Sequence, residues 1–294
     1  MHSFSNKKGL EFQIRLGKGA KFQVSNTDTI VLRGLRATVE SSIAGANMTG
    51  ALSARIYGVS QSIMNDVTTM QWQNATLRNA EIEVYALDGE RRSMVFRGDI
   101  KNAWGDYGSP PDVFLSINAM HNYNFQITPV QPTSFKGIWK LRDMFKWYAD
   151  KMGLALEVTD IDGQYQDGYF DDTLANQVKT LASHVGVDIT YEGYSMIVVP
   201  KGAPRKDVKV LVSRDTGMIG YPTFDALYVT CKSIFNPDIR HFGLVELKTD
   251  ISSPLVRTSG EWRVASVYHN LQSETPNGQW MTQFKANYNG NAFK

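Results

Sequence analysis

The residues able to do chemistry in this 294-residue chain are scattered, and their spacings argue against most of the sites they could build. The densest set is acidic: Asp160, Asp162, Asp167, Asp171 and Asp172, with no Lys or Arg between them. Oxygen donors this close together could hold a calcium ion. A calcium loop needs glycine at its sixth position, however; counted from Asp160 that position is Tyr165, and Gly163 falls two places early. The alternative is a solvated turn in which Asp171, Asp172 or Thr173 caps a following helix. The five histidines, His2, His121, His184, His241 and His269, show no metal spacing such as H-E-x-x-H. His184 lies beside an apolar helical stripe and reads as a partly buried structural residue. Gly17-Lys18-Gly19-Ala20-Lys21 is glycine-rich and basic, but it lacks the phosphate-loop spacing and a following helix. No G-x-S-x-G elbow is present. The one cysteine, Cys231, sits in an alternating run and reads as a small buried hydrophobe rather than a nucleophile. Paired carboxylates for glycoside cleavage are a matter of distance in space, which spacing along the chain does not give. The sequence therefore offers no catalytic, cofactor-binding or metal residue, and no cofactor.

Composition narrows the class. A chain that is 42% apolar and 20% charged has ample material for a core, and its length suggests two or three domains. A net charge of +2 gives no reason to expect specific nucleic-acid binding, which needs clustered Lys and Arg. Arg91-Arg92 and Arg205-Lys206 flank turns and read as solvated surface. One cysteine excludes an internal disulfide framework. The polar start, residues 1–9, does not resemble a signal peptide, and no run reaches the roughly 18 apolar residues of a membrane span. Folding in a cytoplasm, with no membrane insertion, is expected. Asn47-Met48-Thr49 and Asn74-Ala75-Thr76 match the glycosylation pattern, which has no meaning without secretion.

The elements that must carry these residues read as three blocks. Up to about residue 132 the period is two: Phe12, Ile14 and Leu16 alternate with polar residues, as do Leu35, Ala37 and Val39, and then Leu52, Ala54 and Ile56. Asp88-Gly89 marks a hairpin. Residues 112–120 and 123–127 read as closing strands. One helix interrupts, capped by Ser60, with Ile63, Met64, Val67 and Met70 on one face. After Pro129 and Pro132 the period becomes helical. Ile138, Leu141, Phe145, Tyr148 and Met152 predict a helix over 137–152 stopped by Gly153, and Leu174, Val178, Leu181 and Val185 predict another ended by Gly186. Strands at 154–158, 187–191 and 195–199 complete a small α/β module. Residues 201–205 read as a linker. Beyond it the period returns to two, with strands at 208–212, 226–234, 243–249, 261–271 and 279–288, and Thr275-Pro276-Asn277-Gly278 as the last hairpin.

The β blocks repeat. Sliding Leu35 onto Leu227 lays Leu35-Arg36-Ala37-Thr38-Val39 over Leu227-Tyr228-Val229-Thr230-Cys231, so that Cys231 stands opposite Val39. With one residue of slip, residues 50–55 then fall over 243–248. Residues 95–100 match 261–266 in kind.

Asp215-Thr216-Gly217-Met218-Ile219-Gly220-Tyr221-Pro222, followed by Ile234-Phe235-Asn236-Pro237, Gly243-Leu244-Val245-Glu246-Leu247 and Trp262-Arg263-Val264, resembles the baseplate hub protein of contractile-tailed bacteriophages. Leu32-Arg33-Gly34-Leu35 and Arg55-Ile56-Tyr57-Gly58-Val59-Ser60 resemble that family's first domain. The resemblance implies a structural, non-enzymatic virion protein of the tail baseplate. It implies a homotrimer whose two tail-tube-like barrels per subunit give a pseudo-six-fold ring. Such a hub adapts a six-fold tail tube, or a tube-initiator protein, to a three-fold central spike, with tape measure and baseplate wedge proteins nearby. The fold expected is mainly β with an α/β insert: a first tube-like β-barrel domain at residues 1–132, the insert at 133–205 and a second barrel at 206–294. A cell-wall hydrolase at the tail tip, or the equivalent hub of a non-contractile tail or secretion-machine spike, are the alternatives.

Overall fold

A computed structural model describes residues 8–17, 19–45, 47, 49–68, 79–108, 110–206, 209–225, 227–249 and 259–288. The chain is mainly β. In the first part, β1 (Lys8–Arg15), β2 (Thr29–Arg33), β3 (Ala37–Ala44), β4 (Ala51–Tyr57), β5 (Glu81–Asp88), β6 (Arg91–Asp106) and β7 (Phe114–Met120) hydrogen-bond in the order β2-β1-β5-β6-β7-β4-β3. Alternation sends every second side chain to one face, and all seven strands feed one core, with Phe12, Leu32, Val39, Ala54, Val84, Phe96 and Ile117 among its members. A sheet whose strands all bury one face in a single cluster must curl around it. It stays open, because no ladder joins β2 to β3. Helix α1 (Gln61–Val67) starts where the Ser60 hydroxyl accepts the Ile63 N–H at 3.4 Å, and it buries Met64 and Val67 in the same core.

The middle segment has its own core. Strand β8 (Thr133–Lys140) pairs with β10 (Gln164–Phe170), and β9 (Ala155–Val158), β11 (Val187–Glu192) and β12 (Ser195–Pro200) form a sheet in the order β11-β12-β9. Helices α3 (Leu141–Lys151) and α4 (Leu174–Val185) bury Phe145, Tyr148, Val178 and Leu181. The Thr173 side chain caps α4, and Gly186 ends it at φ 68°, a left-handed conformation natural to glycine.

In the last part, β13 (Val210–Ser213), β14 (Met218–Phe224), β15 (Tyr228–Ile234), β16 (Leu244–Lys248), β17 (Gly260–Ser273) and β18 (Trp280–Tyr288) run in the order β14-β15-β18-β17-β16-β13 around Val229, Cys231, Val245, Val264 and Phe284. This order repeats the first part. Strands β3, β4, β5, β6 and β7 correspond in sequence and in ladder position to β14, β15, β16, β17 and β18, all paired antiparallel. The irregularities agree too. A bulge follows Ile100 on β6 and Val264 on β17, and those residues donate to the Ala80 and Gly243 carbonyls at 2.8 and 2.9 Å. The units differ at their margins: β13 pairs parallel with β16, whereas β1 pairs antiparallel with β5, and β2 has no counterpart among the described residues.

Several expectations need correction. The duplication is real in strand order, but sliding Leu35 onto Leu227 matches β3 to β15, one strand out of step. The ladders instead set β4 against β15, so Cys231 corresponds to Ala54 rather than Val39. Short alternating strands resemble any other strand of the same period, and only pairing fixes the match. The match of residues 95–100 to 261–266 does join the corresponding strands, β6 and β17. Residues 123–127 are not a strand but helix α2 (Tyr123–Ile127). The helix predicted from residue 137 starts at Leu141; Ile138 lies on β8 and is 65% exposed. The supposed turn over 160–172 contains β10. Met70 and Asn74-Ala75-Thr76 lie outside the described residues.

Candidate functional site

The features that position this molecule's parts converge where the two curled sheets and the middle segment meet. Strand β17 is long enough to serve both sheets. Its N-terminal half pairs with β16, and from Ser266 to Ser273 it pairs antiparallel with β3, from Ala44 to Ala37. The two sheets are thereby one continuous 13-stranded sheet. Leu271 on β17 is fully buried in the first core, together with Phe235. The Ser273 hydroxyl donates to the Leu35 carbonyl at 2.8 Å, which fastens the far end of this seam.

The middle segment is clamped to both sheets. Asn47 imitates a strand edge: its N–H donates to the Ile189 carbonyl at 3.1 Å, and its side-chain oxygen accepts the Ile189 N–H at 2.8 Å. Tyr194, in the β11–β12 turn, donates to Glu83 of β5, and the Arg97 guanidinium lies 3.9 Å from its ring centroid. Toward the second sheet, the Arg263 guanidinium donates to Asp188 at 2.9 Å and to the Ala203 carbonyl at 2.8 Å, and it stacks over the Phe242 ring. Both ends of this ion pair are at least nine-tenths buried. Burial pulls the Arg263 pKa down, while the Asp188 charge opposes that shift. Phe242 itself packs in one buried cluster with Ile197 and Val199 of β12.

A cavity of about 420 Å³ lies at this junction, with Ser42, Met94, His121, Glu192, Arg205 and His241 among the residues around it. Three histidines border it, and each has an internal reason to be there. His241 bonds Thr190 Oγ1 at 2.8 Å and the Ala265 carbonyl at 3.1 Å, tying the middle segment to the second sheet. His269 bonds Thr282 Oγ1 at 2.9 Å, and His121 stacks on Phe96 with centroids 4.4 Å apart. Desolvation lowers their pKa values to about 3 for His241 and about 4 for His121 and His269. They are neutral at pH 7, fitting parts of a packed joint. Their alternating or turn positions carried no sequence signal that separates them from surface histidines.

The candidates read from the sequence are dispersed in space. Cys231 is buried, and desolvation pushes its thiol up to about 12. Three of the five aspartates of residues 160–172 serve separate bonds: Asp160 takes Lys206 Nζ at 2.6 Å, Asp167 takes the Gly137 N–H at 2.7 Å, and Asp172 takes the Thr173 and Asn176 donors at the α4 terminus. Among the described residues no three His, Cys, Asp or Glu side chains group to hold a metal ion. His184 is exposed rather than partly buried, and bonds the Tyr165 hydroxyl at 2.9 Å. Arg205, read as solvated surface, is 5% exposed and held by Glu157 and Glu192. Arg92 stacks 3.3 Å from the Tyr85 centroid and bonds the fully buried Glu11 at 2.8 Å. Arg91 stays half-exposed beside Asp238. Lys18, in the glycine-rich stretch, lies outside the described residues, as do His2 and Met48. No helix of the described residues is long and apolar enough to cross a membrane.

Among the described residues the edges of β2, β13, β14 and the C-terminal end of β6 are unpaired, and exposed aromatic side chains lie along the last two. Among the described residues β14 pairs only with β15, and it and the turn after it expose Ile219 (44%), Tyr221 (64%), Phe224 (53%) and Leu227 (73%). The C-terminal end of β6 exposes Trp104 (38%), with Tyr107 (49%) just beyond. Apolar side chains beside an unpaired strand edge are features of an assembly surface.

Comparison with known proteins agrees with a protein built for assembly. No curated protein matches the chain in sequence. The fold recurs in a tail protein from Neisseria meningitidis MC58, 12% identical, with a TM-score of 0.62 over 96% of this chain and 97% of that one. A 43 kDa tail protein of prophage MuSo2 from Shewanella oneidensis is 11% identical, with a TM-score of 0.59 over 94% and 97%. The E. coli c3393 protein, a component of the type VI secretion system, is 8% identical, with a TM-score of 0.58 over 87% and 74%. At such identities the likeness is one of fold. The family model "Baseplate hub gp41" matches residues 19–281, nearly the whole chain, and with the two-sheet architecture on the page this chain belongs to the baseplate hub gp41 family of phage tail structural proteins.

Proposed function

We propose that this protein is the trimeric hub of a phage baseplate, matching a six-fold tail tube, or its initiator protein, to a three-fold central spike. The observation that carries this reading is the repeated strand order within one chain, joined edge to edge through β17 and β3. Two similar units per subunit turn a three-fold ring into a nearly six-fold one, since the contact within a chain can recur between chains as a heterologous interface that closes on itself. The domain division belongs to this reading: a first barrel at residues 1–132, an insert at 133–205 and a second barrel at 206–294. Three separate buried clusters support it, although Leu271 and Phe235 join the first cluster from the last segment. The insert, clamped to both barrels, braces the angle between them. Tape measure and wedge proteins would meet the ring from its faces and rim.

The role is scaffolding without catalysis. Its support is positive: the buried thiol is held protonated, the junction histidines are neutral and engaged, and Asp160, Asp167 and Asp172 each accept a local bond. The same fold in a type VI secretion component makes the base of a secretion spike the second reading. Reconstruction of the assembled tail tip decides between stoichiometries. Three copies of this chain for each ring of six tube subunits are expected, and six copies or one would overturn the adaptor.

A further inference from the structure

We propose that the groove on the insert where Trp139 and Trp147 both meet Phe135 takes an acidic, proline-bearing segment of a partner protein, laid in it as an extended polyproline II helix. The inference does not depend on the copy number of the ring. The insert holds the two barrels through Asp188 and Ile189 of β11, Tyr194 in the turn after it, and the packing of β12 on Phe242. Neither indole of the groove takes part in those clamps. Strand β8 and helix α3 therefore present a surface that the joint does not use.

The groove has a volume of about 500 Å³ and is bounded by β8, α3, the start of α4 and the chain entering β8. Phe135 of β8 is its deepest ring, 2% exposed. Trp139, further along β8, has its ring centroid 5.1 Å from Phe135 at an interplanar angle of 71°. Trp147 of α3 lies 5.5 Å from the same ring at 79°. Two half-buried indoles thus stand steeply against one buried phenyl ring. The Trp139 indole N–H is spent on the Lys136 carbonyl at 3.1 Å. The Trp147 indole N–H has no hydrogen-bond partner among the described residues. A packed indole normally finds an acceptor, so this one is a donor held ready at an aromatic surface. Val130 (37% exposed) and, before it, Ile127 (53%) extend the apolar ground beyond the groove.

Charge selects the occupant. Lys151, one helical turn past Trp147, holds its ammonium 5.3 Å from that ring centroid, and among the described residues it is the one charged side chain lining the groove. Lys136, Lys140 and Arg142, on the same two elements, are exposed as well. Among the described residues none of these four cations has an ion-pair partner, whereas Lys146 of α3 has Asp150. Asp143, the other acid of α3, sits in its first turn, where it complements the helix dipole. Elsewhere this chain neutralises its cations: Arg15, Arg92, Arg97, Arg205 and Arg263 each hold a carboxylate. An unneutralised basic rim around an aromatic trough suits a segment that brings apolar rings and carboxylates together. Proline meets the first need. Its ring packs on an indole, and a polyproline II backbone has no internal hydrogen bonds, so its carbonyls are free to accept the Trp147 N–H. Asp or Glu between the prolines meets the second by pairing with Lys151. A neutral sugar would also stack on the indoles, but it would leave the four cations unanswered.

The test uses the full chain. A library of random peptides of about twelve residues is selected on it and counter-selected on Lys151→Glu, a change at an exposed side chain. Enrichment of sequences carrying both proline and Asp or Glu, lost on Lys151→Glu, is expected. The enriched peptide is then titrated by calorimetry and by tryptophan fluorescence. Lys151→Glu and Trp147→Ala should each weaken binding about tenfold or more, and Trp147→Phe, which keeps a ring but removes the N–H, about threefold to tenfold. Trp147→Ala also strips packing from the insert, so Lys151→Glu and Trp147→Phe carry the decision, with circular dichroism to show that both remain folded. Raising the salt should weaken the complex severalfold, as screening of the lysine contacts requires. A selection that enriches nothing, or that returns basic or proline-free sequences, overturns the proposal, as does binding indifferent to Lys151→Glu. Soluble peptidoglycan fragments that shift the tryptophan emission and displace the peptide would assign the groove to a glycan and overturn it too. None of these outcomes bears on the copy number that decides the hub reading.

Discussion

Replacing Asp188 with Ala asks how firmly the insert is bound to the second barrel. Its carboxylate is the charged partner of the Arg263 guanidinium, and also accepts the Gly202 N–H at 3.0 Å. Side-chain exposures of 7% and 8% for Arg263 and Asp188 mean that water cannot replace the lost carboxylate without opening the junction. Removing one member of a buried pair leaves an uncompensated charge and costs about 3–5 kcal/mol, a large part of the roughly 5–15 kcal/mol that holds a domain folded. Asp160 and Lys206 form an even shorter pair at 2.6 Å, but are 67% and 71% exposed, so Asp160→Ala should cost less than about 1 kcal/mol. The contrast is set by burial, since the exposed pair is the shorter of the two. Urea denaturation followed by tryptophan fluorescence measures both. An early transition, in which the insert and second barrel separate before the rest unfolds, is expected for Asp188→Ala. The double change Asp188→Leu with Arg263→Met should recover most of the loss, because it removes the orphaned charge. Equal costs for Asp188→Ala and Asp160→Ala would refute the reasoning, as would a double variant no more stable than the single.

Further outcomes follow from the same structure. The pKa values of His121, His241 and His269 are depressed in the fold below the ordinary value of about 6.5. Their neutral-state stability is therefore fully present above pH 6.5 and is lost as pH falls through 6.5 toward about 4 for His121 and His269 and about 3 for His241. Over that window each buried histidine steepens the decline by up to about 1.4 kcal/mol per pH unit, and His269→Gln should flatten the curve of unfolding free energy against pH. Gly98→Ala would set a Cβ 2.6 Å from the Met120 carbonyl oxygen, so the β6–β7 ladder must yield; a loss of about 1–3 kcal/mol in thermal or urea unfolding is expected, and a neutral result would show that β6 is looser than drawn. A water-soluble thiol reagent should label Cys231 only as the protein unfolds, and rapid stoichiometric labelling of the native chain would place that thiol at the surface. Zymography on peptidoglycan should show no clearing; clearing abolished by Asp→Asn changes within residues 160–172 would restore the hydrolase reading.

What the sequence determined is whatever short-range periodicity encodes. Phe12 and Ile14, or Ala54 and Ile56, alternate because one face of a curled sheet is dry, and that pattern needs no knowledge of the partner strand. Ser60, Thr173 and Gly186 announce helix ends because capping chemistry is local. The phrase from Asp215 to Pro222 carries a family likeness for the same reason: its glycines and proline meet backbone demands at that edge, where Gly217 and Gly220 both take positive φ. The tertiary structure decided which strand answers to which. Period two leaves a repeat ambiguous by whole strands, so the match of β3 to β15 looked as good in the sequence as the true match of β4 to β15. It also decided the fate of individual polar residues. Arg205 and Arg263 were indistinguishable from surface arginines until Glu157, Glu192 and Asp188 arrived from far along the chain. Ile138 seemed part of an apolar helical stripe until the backbone there entered a strand. Burial and pairing are sums over distant segments, and they fixed both the internal seam between β17 and β3 and the open edges at β14 and β6.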